Sequence, residues 1–401
     1  RPQKGFLKLV SLGGKTALAD KAGFAPAGPL LWRWKDRIDR RFMAMLQDLP
    51  QMAPPALPDT LAEGVSEILA DKPLCGGCGA KIGGDVLTAA LADLPPLSRP
   101  DILSGPGDDA AVLQTGGAVQ VMTTDHLRSF VEDPALMARI TALHALGDIW
   151  AMGARPQAAL AQIILPRMSP ALQRRTMDEI MTATRAVLDP EGAALVGGHS
   201  TMGAELTIGF TLTGLCDGPA LTVAGAQPGD ALVLTRPIGS GTLLAAEMLG
   251  KARGRDIATL WAEMARPQGA AARELGPVAH AMTDVTGFGL AGHALAIALE
   301  SGVAIALDLE AIPLYDGALE MSGAGQHSTL FRPNALNAPV FGADPEDPRA
   351  RLLWDPQTAG GLLAAVPETA LSDLLHALHA AGEMAVHIGD VEAGPPSLRL
   401  K

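Results

Sequence analysis

Aspartates stand at the edges of apolar runs in four places: Asp108-Asp109-Ala110-Ala111-Val112, Thr123-Thr124-Asp125, Gly147-Asp148-Ile149 and Thr283-Asp284-Val285-Thr286-Gly287-Phe288-Gly289. A carboxylate among apolar neighbours costs free energy unless it is neutralised, and one divalent cation can neutralise several. Oxygen donors alone suit Mg²⁺ better than zinc or copper. Taken singly, each Asp could cap a helix, close a turn or pair with a base. Only their combination argues for metal. Asp148 is the most informative, because it falls inside the apolar helical pattern Ile140 to Met152, where nothing local explains a charge.

A second concentration of chemistry is the stretch Leu74-Cys75-Gly76-Gly77-Cys78-Gly79-Ala80-Lys81. Glycines at this density allow positive φ and a close backbone approach to a ligand. A lysine three residues after Cys78 favours the thiolate. Two plainer readings stay open: half of a zinc site completed by histidine, or a redox pair. A four-cysteine zinc site is excluded, since only Cys216 remains. The third candidate pairs Gly197-Gly198-His199-Ser200, ahead of a strand, with Thr235-Arg236-Pro237-Ile238-Gly239-Ser240-Gly241, after one. Glycine turns with free amides and hydroxyls suit phosphate oxygens. Neither is a P-loop or a dinucleotide fingerprint, and His199 could equally be structural.

The elements that must position these groups follow from periodicity. Strands are expected over 119–124, 159–165, 206–215 and 230–235, and helices over 134–152, 171–188, 289–299 and 369–381. Alternation of the two kinds from Cys75 onward points to α/β and α+β layers. The first 50 residues differ, concentrating Lys and Arg, and 51–70 reads as a Pro- and Ala-rich linker. Turn formers at 225–229 mark a further boundary, giving expected domains at 71–225 and 226–401. Starting at Arg1 without a signal-peptide pattern, the chain reads as a fragment.

Composition narrows the function. Aromatic residues are 3% of the 401, too few for base-stacking platforms, and the net charge of −12 opposes binding to a nucleic-acid backbone. A chain this acidic that handles phosphates needs cations between them. Three cysteines make no disulfide framework, and no run of eighteen apolar residues is uninterrupted, so a cytoplasmic location without membrane insertion is expected.

Gly77-Cys78-Gly79-Ala80-Lys81, the four aspartate motifs, Gly147-Asp148-Ile149-Trp150-Ala151-Met152-Gly153, Gly197-Gly198-His199-Ser200 and Asp355-Pro356-Gln357-Thr358-Ala359-Gly360-Gly361, taken in order, resemble selenophosphate synthetase (selenide, water dikinase). The acidic motifs alone would indicate only the wider aminoimidazole-ribonucleotide-synthetase-like superfamily. The resemblance implies a two-domain fold of that kind, with an N-terminal α/β sheet that pairs in a homodimer and an α+β domain after it. It implies conversion of ATP, selenide and water into selenophosphate, AMP and orthophosphate for selenocysteine biosynthesis, with Mg²⁺ ions offsetting polyphosphate charge. It casts Cys78 and Lys81 as catalytic, Asp109, Asp125, Asp148 and Asp284 as metal ligands, and Lys81, Asp109, Asp125, Gly197, Gly198, His199 and Ser200 as nucleotide contacts. Three departures stand out. Ala80 replaces a cysteine found in many members, His144 stands where an Asn is often found, and Arg236 replaces a common Lys.

The N-terminal piece, through Pro2-Gln3-Lys4 and Trp32-Arg33-Trp34-Lys35-Asp36-Arg37-Ile38-Asp39-Arg40-Arg41-Phe42, resembles the C-terminal end of FAD-dependent NADH-dehydrogenase-like proteins. That implies a remnant at 1–50 without a flavin of its own, a poorly packed helix with exposed cations, and an oxidoreductase or selenium-delivering partner. The competing readings are a thiamine-monophosphate kinase or hydrogenase-maturation relative, which would lack the Gly77 to Lys81 loop, and a non-catalytic nucleotide-binding scaffold.

Overall fold

The computed structural model describes residues 7–21, 23–47, 76–82, 90–91, 99–105 and 107–401. The expected linker, Cys75 and Pro2 to Lys4 lie outside the described residues. The chain divides into two units, Arg1–Asp71 and Lys72–Lys401.

In the first unit, strands β1 (Lys8–Gly13), β2 (Thr16–Asp20) and β3 (Ala27–Gly28) form an antiparallel sheet, followed by helix α1 (Pro29–Gln47). Pro29 opens α1 with its φ already helical. Lys35 with Asp39 and Asp36 with Arg40 pair along its surface. The strands are absent from the sequence reading. Their buried positions are filled by Ala17 and Ala19, which give almost no hydrophobic alternation.

The second unit begins with five strands: β4 (Ala111–Thr115), β5 (Ala118–Arg128), β6 (Arg155–Pro166), β7 (Ala194–Gly203) and β8 (Thr207–Cys216), in the order β4-β5-β8-β6-β7. Helices α2 (Pro134–Ala151) and α3 (Pro170–Leu188) fall where the periodicity puts them. Ile208, Phe210 and Leu212 of β8 are fully buried, and α2 packs on β8 and β5. The opposite face carries exposed Met122 and Leu160 and a row in which Gln162 donates to Thr211 and Thr211 to Thr124.

The second half holds β9 (Asp230–Leu234), β10 (Ala281–Asp284), β11 (Ala304–Leu307), β12 (Val340–Phe341), β13 (Leu362–Pro367), β14 (Val386–Glu392) and β15 (Ser397–Leu400). Their sheet runs β10-β13-β9-β14-β11-β15-β12. Its helices are α4 (Ser240–Met248), α5 (Gly254–Met264), α6 (Gly269–Leu275), α7 (Gly289–Ser301), α8 (Ala318–Gly323), α9 (Phe331–Asn337) and α10 (Glu368–Ala380). Every residue of β9 is buried, as expected for a strand covered on both faces.

Candidate active site

Helix α2 decides where the site lies. Asp133 caps it, accepting from the amides of Ala135 and Leu136, and Pro134 takes the first helical turn. From Ile140 to Ala151 every residue is buried, because α2 is enclosed by the five-stranded sheet, α3, and β10 and α6 of the second half. A charge at Asp148 is therefore delivered to the junction of the two halves.

There it meets two others. Oxygens of Asp109, Asp148 and Asp284 all lie within 4.8 Å of one another. Asp109 precedes β4 and Asp284 ends β10. Gly147 makes the approach possible, since any side chain there would fall on the Asp284 carboxylate. Thr123 donates to Asp148 Oδ2 at 2.5 Å and Thr283 to Asp109 Oδ1 at 2.9 Å. Even so, Asp109 Oδ2 and Asp284 Oδ1 are buried with no hydrogen-bond partner among the described residues. Burial first, then mutual repulsion, pushes all three pKa values well above the ordinary carboxylate range. Orphaned, oxygen-only donors held together in this way fit a hard divalent cation.

Asp125, on β5, stands beside this trio. Its Oδ1 is 3.2 Å from Lys81 Nζ and its Oδ2 3.2 Å from His144 Nε2. Burial would raise its pKa, but His144 and Lys81 hold it below the usual value. Since burial pushes His144 down to about 4, the imidazole is neutral near pH 7 and Lys81 supplies the charge. Burial also opposes the Lys81 ammonium, yet Cys78, Asp125 and Asp148 keep its pKa raised.

The glycine-rich segment forms one 3-10 turn over Gly77–Ala80 and docks on the second half. The Cys78 amide donates to Thr358 Oγ1 at 3.1 Å, and Thr329 donates to the Gly79 carbonyl at 2.9 Å. Gly77, at φ 58°, lies against Thr358, where a side chain would not fit. Cys78 is fully buried, its sulfur 3.2 Å from His144 Nε2. Burial pushes its pKa up to about 12 against the pull of Lys81. This corrects the expectation from spacing: desolvation outweighs the nearby ammonium, so the resting sulfur is a thiol. Cys216 lies elsewhere, half-buried near the Met152 carbonyl, so the two described cysteines do not share a site.

Two expectations fail on geometry. Gly197, Gly198, His199 and Ser200 form no turn. They lie within β7, exposed on the free edge of the sheet and paired in parallel with Leu160 to Ile163 of β6. Gly198 is there because the Ala161 backbone approaches too closely for a side chain. The amides at Gly239 and Ser240 are likewise not free for phosphate: both donate to Gln357 Oε1, at 3.0 and 3.1 Å.

Sequence reasoning missed Thr123, Thr283 and Gly147 as supports of the carboxylates. It missed His293, whose Nε2 accepts from the Thr286 amide at 3.0 Å and whose Nδ1 lies 3.1 Å from Thr283 Oγ1. The threonines adjoin the aspartate motifs, which is a usable signal. His293 is one helical turn along α7 and carries none.

The sequence matches the AIR synthase related protein N-terminal domain over residues 107–216 and the corresponding C-terminal domain over 227–401. It is 36% identical to the selenide, water dikinase of Desulfitobacterium hafniense (strain Y51) over 328 residues, 79% of this chain and 94% of that one. The chain belongs to the selenide, water dikinase family. A second member, from Myxococcus xanthus (strain DK1622), is 34% identical over 334 residues, 81% of this chain and 94% of its own. Among solved structures, thiamine-monophosphate kinase from Stenotrophomonas maltophilia K279a superposes with a TM-score of 0.58 at 24% identity, covering 79% of this chain and 94% of that one. That likeness is one of fold. The AIR synthase-related placement rests on the two domain matches, and the family assignment on the sequence relatives. Among the described residues no helix is long and apolar enough to cross a membrane.

Proposed function

We propose that the chain uses ATP to make selenophosphate from selenide and water, releasing AMP and orthophosphate, at the junction between the two halves of its second unit. The observation that carries this reading is the meeting of three clustered carboxylates, two of them with a buried oxygen that has no hydrogen-bond partner among the described residues, with the Cys78–Lys81 segment through Asp125 and His144. Asp109, Asp148 and Asp284, completed by Asp125, would hold Mg²⁺, which supplies neutralisation of polyphosphate charge. Lys81, charged and one-third exposed, is suited to hold a phosphate oxygen after exchanging it for Asp125. Cys78 supplies a sulfur that the docked glycine-rich segment keeps from water.

The pairing of two chains through the five-stranded sheet belongs to the same proposal. It is supported by the free edge of β7, with exposed Val196 and Met202, and by the open face carrying Met122 and Leu160. A two-chain site would also give Gly197 to Ser200 a route to nucleotide. The oxidoreductase likeness of the first unit supports a reductant or selenium donor as a partner.

The test is anaerobic ATP consumption with Mg²⁺, with and without selenide, following AMP and ADP separately. Selenide-dependent AMP that is lost in Lys81→Ala supports the reading. ADP formed without a selenide requirement, unchanged in Cys78→Ser and Lys81→Ala, would replace it with a kinase.

A further inference from the structure

Three buried groups form a line that ends on the Cys78 sulfur. Arg236 is 5% exposed and has no ion-pair partner within 4 Å among the described residues, Glu383 and Glu263 acting on it from farther away. Its Nη1 donates to the Ala359 carbonyl at 2.6 Å and its Nη2 to the Arg266 carbonyl. Burying a guanidinium without a carboxylate is expensive, so holding these carbonyls is what it contributes. Ala359 itself has φ 49°, a left-handed conformation that residues other than glycine rarely take and that persists only where neighbours enforce it. On its other side, the Ala359 amide donates to His144 Nδ1 at 3.4 Å. That bond fixes the tautomer, leaving the proton of the neutral ring on Nε2. Nε2 in turn lies 3.2 Å from both Cys78 Sγ and Asp125 Oδ2.

We propose that His144 is a positioning residue for Cys78, its single Nε2 hydrogen shared between the sulfur and the Asp125 carboxylate, and that Arg236 sets His144 through the strained Ala359 peptide. The line joins the glycine-rich segment to the second half beside the contacts made by Thr358, the neighbour of Ala359, and by Thr329. It rests on the reading of Cys78 as a functional sulfur.

The test is the rate of iodoacetamide labelling of Cys78 in the full chain at one pH, resolved by mass spectrometry, with Cys216 as an internal control for general loosening. An Asn amide reproduces the Nδ1 position of histidine and a Gln amide the Nε2 position. His144→Asn is expected to speed Cys78 labelling roughly tenfold, the size of one buried hydrogen bond, with Cys216 unaffected. His144→Gln restores slow labelling. Arg236→Lys, too short to hold both carbonyls, speeds labelling alone but adds nothing in the His144→Asn background. Unchanged Cys78 labelling in His144→Asn, equal acceleration at Cys216, or an undiminished Arg236→Lys effect in the double variant overturns the proposal. Selenide-dependent AMP formation by Cys78→Ser is measured alongside. Retained activity there removes the functional role of the sulfur, whereas the labelling series judges the positioning line by itself.

Discussion

Two glycine-rich stretches of this chain have opposite fates. Gly76 to Lys81 is folded into the junction, with Gly76 to Gly79 buried, while Gly197 to Ser200 is exposed along a sheet edge. In sequence the first reads as a loop that can close on a ligand and the second as a phosphate-binding turn. In the first, glycine allows a tight turn that Thr358 crowds. In the second, it allows one extended backbone to lie close on another. Glycine density thus reports that backbone comes close to something, and only the partner elements say to what.

The sharpest way to test this contrast is to remove the functional end of the buried stretch. Lys81→Ala is expected to cut selenide-dependent AMP formation by about 10²- to 10³-fold, the scale of losing a charge-stabilising group, in a chain that still folds. AMP release measured at saturating ATP checks it.

The pH dependence is the next largest effect. His144 titrates near 6.5 when unfolded and at about 4 when folded, so its contribution is complete above pH 6.5 and is lost as pH falls toward 4. That loss amounts to up to about 3 kcal/mol, and His144→Asn should flatten it, as denaturant unfolding at pH 7 and pH 5 would show. The carboxylate trio acts with the opposite sign: its raised pKa values weaken the metal-free fold as pH rises, and Mg²⁺ should reverse this. Mg²⁺ at a hundredfold excess over its dissociation constant at pH 7 is expected to add about 2.7 kcal/mol, and the same concentration adds more at pH 8 than at pH 6. Thermal melts of the wild type and Asp284→Asn, which should lose most of the gain, measure it.

Gly147→Ala drives a methyl group into the Asp284 carboxylate, and a cost of about 2 kcal/mol is expected from overpacking, with weaker Mg²⁺ stabilisation. At the exposed stretch the prediction is nearly nothing: His199→Ala should change unfolding free energy by less than about 0.5 kcal/mol. A large effect in a dilute, monomeric sample would mean that the sheet edge is more ordered by its own contacts than its exposure indicates.

Much of the second unit was legible because its signals are local. Helix α2 is apolar nearly throughout and α3 has an amphipathic period, each with Pro at the start, and β5, β6, β8 and β9 are rich in β-branched and aliphatic residues. Asp148 was legible because a charge inside such a helix demands a partner. The rest depends on residues far apart in sequence. Gln357 occupies the Gly239 and Ser240 amides, Ala359 selects the His144 tautomer, and burial rather than Lys81 sets the state of Cys78. No window of neighbouring residues contains that information. In the first unit the reverse holds: the strands are local, but alanines at their buried positions give too little contrast.

The seclusion of Cys78 also bears on how such a protein survives air. Peroxide consumes thiolates, and a sulfur that is protonated and out of solvent is a poor target for it. Of the two described cysteines, half-exposed Cys216 would be oxidised first. The fold therefore keeps the Cys78 sulfur chemically quiet while the glycine-rich segment is seated, and any change that loosened that segment from Thr358 and Thr329 would expose it to oxidation.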